Sequence, residues 1–161
     1  MIILSCAGFG FCISAKNKLK ISELKNMNDC LDIMEREMCV LFKSFFEAVE
    51  IVINSSSKTN TYLFDEILKC RNNIETISLS EKLTSILGNH NKLYDSKDIE
   101  ILKRLTDIIG CENREVLKNN FDKLKLDLNS RISELNDNVK KKTVAEKLSI
   151  YIGIIIAVFF I

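Results

Sequence analysis

A catalytic or metal centre needs side chains that can bind a metal, attack a carbon or move a proton, clustered at workable spacing, and this chain of 161 residues holds few of them. Its one histidine, His90, stands in a polar GNHNK stretch, where an exposed turn residue is a plainer reading than a general base. The six cysteines, at 6, 12, 30, 39, 70 and 111, form no C-x-x-C pair, so zinc and thioredoxin-like chemistry fail on spacing. The five glycines, at 8, 10, 88, 110 and 153, build no phosphate-cradling loop. Carboxylates are plentiful: Glu35 and Glu37 flank Arg36, with Glu47 and Glu50 further on. Two readings stand for them, solvated helix faces or contacts to a partner. No enzyme, no cofactor and no metal is expected from this inventory.

The elements that would position such residues begin with the distribution of charge. Lys plus Arg number 23 against 22 Asp plus Glu, a net charge of +1, which supplies no basic footprint for nucleic acid. Every charged residue lies between Lys16 and Lys147, although 28% of the chain is charged. Residues 1–15, MIILSCAGFGFCISA, and 148–161, LSIYIGIIIAVFFI, are uncharged and mostly apolar. Fifteen helical residues reach about 22 Å against a hydrocarbon core of about 30 Å, so each run spans only with flanking lysines snorkelling or the bilayer thinning. Two membrane anchors are one reading; a buried or interfacial terminus is the other. Lys16, Lys18, Lys20 and Lys25 follow the first run, and Lys140, Lys141, Lys142 and Lys147 precede the second. The positive-inside rule then predicts a cytoplasmic middle, residues 16–147, with both termini outside. Cys6, Gly10 and Ser14, and likewise Ser149, Gly153 and Ala157, recur every four residues. They are either small-residue stripes for helix packing in lipid or chance placements.

The middle reads as helices throughout. Leu24, Met27, Leu31, Met34, Met38, Leu41, Phe45, Ala48 and Val52 alternate in steps of three and four, which predicts a long amphipathic helix ending near the NSSSKTNT tract at Asn54. Its seam is Leu31, Met34, Met38, Leu41 and Phe45, a coiled-coil-like stripe open to self-association. Shorter helices are predicted from Tyr62, from a Ser78 and Glu81 capping box, and from an Asp95 or Ser96 cap, the last closing on Gly110 as a C-cap. After Asn113 a long helix carries Leu117, Phe121, Leu124, Leu128, Ile132, Leu135 and Val139 toward the second apolar run. The expected fold is all-α: an antiparallel helical bundle with two long helices rooted in N- and C-terminal membrane segments.

Four blocks, in order, resemble the stage III sporulation protein AB family of endospore-forming bacteria. GFGFCISAKNKLKISELKNMNDCLDIMEREM is similar to the family's short anchor, basic exit and helix ending in a Leu-Glu-x-Glu-Ile-like element, matched by Met34, Glu35, Glu37 and Met38. FFEAV resembles Thr-Pro-Leu-x-Glu-Ala-Leu through Phe45, Glu47, Ala48 and Val49. IIGCENRE resembles Leu-Gly-x-x-Asp-Arg through Ile109, Gly110, Asn113 and Arg114. A Lys-rich approach to a terminal apolar run containing Gly153 is the fourth. The chain departs where Lys43 and Ser44 replace Thr-Pro, so the expectation is one uninterrupted helix to Val52, and where Asn113 replaces Asp, which preserves a helix cap but not a negative charge.

The resemblance implies a non-enzymatic structural component of the assembly that joins mother cell and forespore. Its soluble part would be like the cytoplasmic domain of type II secretion platform proteins. It would sit in the mother-cell membrane and dock an ATPase-like partner, stage III sporulation protein AA, together with other membrane components. The docking surface implied lies around Glu35, Glu37, Asn113 and Arg114. The competing reading is a generic membrane-tethered coiled-coil adaptor or self-associating scaffold unrelated to sporulation.

Overall fold

A computed structural model describes the backbone over residues 2–55, 62–73, 79–89, 94–109 and 111–159, and side chains over 16–55, 62–71, 81–88, 94–109, 111–145 and 148. Among the described residues the chain is helical throughout, with no strand. The elements are α1 (Ile2–Glu35), a π-helical turn (Arg36–Val40), α2 (Phe45–Ser55), α3 (Tyr62–Lys69) with a 3-10 turn (Cys70–Asn73), α4 (Leu79–Asn89), α5 (Ser96–Lys103) with a 3-10 turn (Arg104–Asp107), and α6 (Arg114–Phe159).

The helix periodicity becomes packing. Ile21, Leu24, Met27, Leu31 and Met34 of α1 are buried, as are Leu117, Phe121, Leu124, Leu128, Ile132 and Leu135 of α6, and among the described residues these two helices pack along one another more extensively than any other pair. They run antiparallel: Lys125, near the start of α6, meets Asp32 and Glu35 at the end of α1, while Arg131 lies further along α6 toward the level of Lys20. The chain returns between them by a short arc in which α2 packs on α1, α3 on α2, α4 on α3 and α5, and α5 on α6. Phe64, Ile67, Leu83, Leu87, Leu102, Leu105 and Ile108 fill the interior of that arc. A fully buried leucine of this kind contributes about 2–5 kcal/mol relative to alanine.

Two expectations are corrected. No single helix runs from the N-terminal arm to Val52, because α1 ends at Glu35 and α2 starts anew at Phe45. The break needs no proline. The π turn adds a residue to the helical repeat, and Ser44 then caps α2. The same added residue rotates the seam: Leu31, Met34, Met38 and Phe45 are buried within the single chain, whereas Leu41 is 52% exposed.

Among the described residues no helix is long and apolar enough to cross a membrane. The side chains of Cys6, Gly10, Ser14, Ser149, Gly153 and Ala157 lie outside the described residues, and so do Ser78, His90 and Gly110.

Candidate functional site

The end of the bundle farthest from the chain termini is built by the π turn and the residues after it. Leu41 N–H donates to Arg36 O at 3.1 Å and Lys43 N–H to Glu37 O at 3.0 Å. The first is a helical bond widened by one residue and the second by two, and together they turn the chain about Phe42, whose φ is 62°. The left-handed conformation costs an L-residue about 1–2 kcal/mol, which is why glycine or asparagine usually occupies it. A buried carboxylate braces the turn. Glu37 is 3% exposed, accepts from Arg36 Nη2 at 2.8 Å and Nε at 3.2 Å on one oxygen, and from Lys43 Nζ at 2.7 Å on the other. The Lys43 and Arg36 hydrogen bonds hold the Glu37 carboxyl below the usual carboxylate range.

Ser44 and Glu47 form a reciprocal cap that restarts the helix. Glu47 Oε2 accepts from Ser44 N–H at 2.7 Å and from its hydroxyl at 2.8 Å, and Glu47 N–H donates back to Ser44 Oγ at 3.4 Å. Across the turn, the Arg114 guanidinium lies 3.2 Å from the centre of the Phe42 ring, a cation–π contact from the first residue of α6. Asn113 caps that helix, its Oδ1 accepting from Glu115 N–H at 3.0 Å and Val116 N–H at 3.3 Å. Three consecutive apolar residues are left uncovered among the charged ones: Val40 is 63%, Leu41 52% and Phe42 59% exposed.

The four residues expected at a docking surface are thus at this one end, but each is engaged inside the molecule. Glu35 pairs with Lys125, which also meets Asp32 at 2.9 Å. Glu37 is buried, Asn113 caps and Arg114 stacks. Sequence reasoning missed the exposed Val40, Leu41 and Phe42, having placed Leu41 in the seam. The Ser44-x-x-Glu47 spacing was the available signal that a helix starts there.

A second cluster, also unforeseen, lies where α5 begins. Asp95 caps α5, accepting from Lys97 N–H at 3.0 Å and Asp98 N–H at 3.1 Å, and its own N–H donates to Asp98 Oδ2 at 2.8 Å. Lys20 of α1 binds Asp95 at 2.6 Å and also Asp98. Arg131 of α6 binds Asp98 at 2.9 Å, Glu134 at 2.7 Å and Asp95. Lys97 closes the network on Glu134 at 3.2 Å. Three cations thus face three carboxylates around an Asp98 side chain that is fully buried. Burial pushes the Asp95 carboxyl up, but hydrogen bonds from Lys20 and the Asp98 backbone, with the Arg131 charge, bring it down to about 2. Beside it, burial foremost and the nearby Glu23 and Asp98 charges push Tyr94 up to about 12. Lys20 had been counted among the basic residues at the exit of the first apolar run; it is buried in the bundle instead. We call this network the clasp, since it ties the start of α5 to both long helices.

The family model described as stage III sporulation protein AB matches residues 1–161, the whole chain, and the chain belongs to that family. The family places it in sporulation. No curated protein and no solved structure matches it.

Proposed function

We propose that this member of the stage III sporulation protein AB family is a non-enzymatic platform component of the mother cell–forespore transport apparatus. In this reading residues 1–15 and 148–161 anchor it in the mother-cell membrane, residues 16–147 form its cytoplasmic domain, and both termini lie outside. The observation that carries the reading is that α1 and α6 each continue, without a break, from the packed bundle into an uncharged terminal run, and do so antiparallel. Both runs then leave the bundle at the same end. Lys16, Lys18 and Lys140 to Lys142 lie at that end, the arrangement the positive-inside rule asks of a cytoplasmic face.

Two anchors fixed to one rigid bundle would hold the opposite end at a set height above the membrane and raise the effective concentration of whatever docks there. The partners in this reading are an ATPase-like protein, stage III sporulation protein AA, and further membrane components of the same assembly. Glu35, Glu37, Asn113 and Arg114 would serve by shaping the docking end rather than by offering free charges.

A generic tethered adaptor is the competing reading. Self-association through the helix seam would have to displace Leu31 and Met34, both fully buried in the single chain, which weighs against that form of it.

The test is deletion of the gene, scored for spore formation and complemented by the full chain or by residues 16–147 alone. Arrest after engulfment, rescued only by the full chain, is the expected result. Normal sporulation with no compensating gene would overturn the proposal, and rescue by residues 16–147 would remove the anchors from it.

A further inference from the structure

We infer that the lysines around the two long helices, where these leave the bundle, form a collar that selects anionic lipid headgroups. The inference rests on the platform reading for the presence of a bilayer, and on the collar's own charge and exposure for the class of lipid. The register of the helices brings the lysines to one level. Lys125 of α6 meets Asp32 of α1; sixteen residues back along α1 stands Lys16, and sixteen forward along α6 stands Lys141. The helices stay in contact almost that far, since Ile21 is buried and Val139 packs against the same core. Lys16, Lys18, Lys140 and Lys141 are exposed there, and Lys142 is half-buried.

The charge at this level is not compensated. Residues 16–22 and 138–145 contain no carboxylate. On the bordering turns, Asp137 approaches Lys140 only to 3.9 Å, between side chains 60% and 79% exposed, where pairing is weak. Glu146 is followed by Lys147, and Glu23 is buried, with exposed Lys25 one turn edge away. The start of α5 brings Asp95 and Asp98 to this end, but these and Glu134 are matched by Lys20, Lys97 and Arg131 in the clasp. The five collar lysines less Asp137 leave a net charge of +4.

Apolar surface accompanies the charge. Leu19 is 60%, Val144 57% and Leu148 55% exposed. Lys140, Val144 and Leu148 are spaced by four and share one face of α6. Both helices continue from the collar into the uncharged terminal runs. A bilayer presents charge and then hydrocarbon in the order in which these helices present lysine and then apolar side chains, and lysine stems lie along apolar surface while their heads stay in water. An acidic protein would match the lysines without matching that order. Zwitterionic lipid carries phosphate too, but its own cation cancels it, so the collar discriminates by net charge. Each lysine near an anionic surface is worth about a fivefold preference.

The chain has no tryptophan, so a single introduced one is the sole indole reporter. Leu19→Trp, Leu148→Trp and, as a control about 33 Å along α6 from Leu148, Leu126→Trp are made in the full chain. Each is reconstituted into vesicles of equal parts phosphatidylglycerol and phosphatidylcholine, with one lipid or the other brominated near its headgroup. Quenching at 19 and 148 should favour phosphatidylglycerol at least about threefold, with neither lipid quenching at 126. Salt at about 1 M, where the screening length falls to about 3 Å, should remove the preference. So should the combined variant Lys16→Gln, Lys18→Gln, Lys140→Gln, Lys141→Gln, with the circular dichroism spectrum unchanged. Equal quenching by the two lipids, or a preference that survives salt and the variant, overturns the inference and leaves the anchors in place. Quenching by neither lipid, while the chain floats with the vesicles, also overturns it and assigns the lysines to an acidic protein. A chain that stays behind when either kind of vesicle floats overturns both readings. One that floats only with phosphatidylglycerol and is released by salt removes the anchors and keeps the collar.

Discussion

Replacing Asp98 by alanine should damage this protein more than any exposed charge substitution. Asp98 is fully buried and meets Lys20 and Arg131, whose side chains are 8% and 7% exposed. Its removal leaves two buried cations sharing Asp95 and Glu134, and also deletes the acceptor for the Asp95 N–H. Breaking a buried pair on one side costs about 3–5 kcal/mol, and since partial partners remain, the lower end, about 3 kcal/mol, applies. With an unfolding entropy of about 2.1 cal/mol/K per residue over roughly 130 residues, that is a fall in Tm of about 11 °C. The assay is thermal circular dichroism of the full chain in mild detergent. Lys140→Ala, which removes an exposed pair at 3.9 Å, should change stability by less than about 0.5 kcal/mol. The triple variant Lys20→Met, Asp98→Leu, Arg131→Met should recover part of the lost Tm, because an apolar cluster avoids the desolvation of three charges, but not all of it, since Asp95 then lacks both its cations and the acceptor for its N–H. An Asp98→Ala loss below about 4 °C would refute the reasoning, since it would mean that water reaches the clasp.

Three further outcomes follow from the same geometry. The Asp95 carboxyl is depressed to about 2, so its contribution is complete above about pH 4 and fades as pH falls through about 2; Asp95→Asn should flatten that limb of a Tm-against-pH curve. Ser44→Ala removes the cap of α2 and should cost about 1 kcal/mol, with amide hydrogen exchange rising first at Glu47. Leu31→Ala should cost about 2–5 kcal/mol in chemical denaturation, whereas Leu41→Ala, at an exposed position, should stay within about 0.5 kcal/mol.

Much of the helical framework was legible because burial imposes a period on the sequence. The buried positions of α6, from Leu117 to Leu135, fall where a stripe of step three and four put them, and Asn113 caps that helix as a short polar residue before an apolar run should. What escaped was local chemistry that competes with the stripe. Met38, Leu41 and Phe45 keep the spacing of a continuous seam, yet one π turn shifts its phase and sends Leu41 into solvent. Nothing in hydrophobic spacing reports such a turn; the Ser44-x-x-Glu47 spacing signals the helix start that follows it, and the expectation of an uninterrupted helix took only the missing proline into account. The clasp was illegible for another reason. Lys20, Asp98 and Arg131 are distant in sequence and individually resemble surface charges, and only the fold brings them together. Glu35, Glu37, Asn113 and Arg114, expected at a docking surface, gather at one end of the bundle, but each is engaged inside the molecule, and the exposed Val40, Leu41 and Phe42 beside them carried no signal in the spacing.

The unbroken course of α6 from Arg114 to Phe159 has a consequence for phase. No glycine or proline interrupts it before Gly153, so the azimuth of Arg114, against Phe42, and that of the terminal run are geared together through one shaft. Inserting one residue after Lys142 would turn the terminal run by about 100° and advance it by about 1.5 Å, presenting a different face to its neighbours. Seven inserted residues would restore the face to within about 20° while lengthening the shaft by about 10 Å. Comparing the two insertions would tell whether the protein depends on the height of the far end of its bundle or on the direction in which that end points.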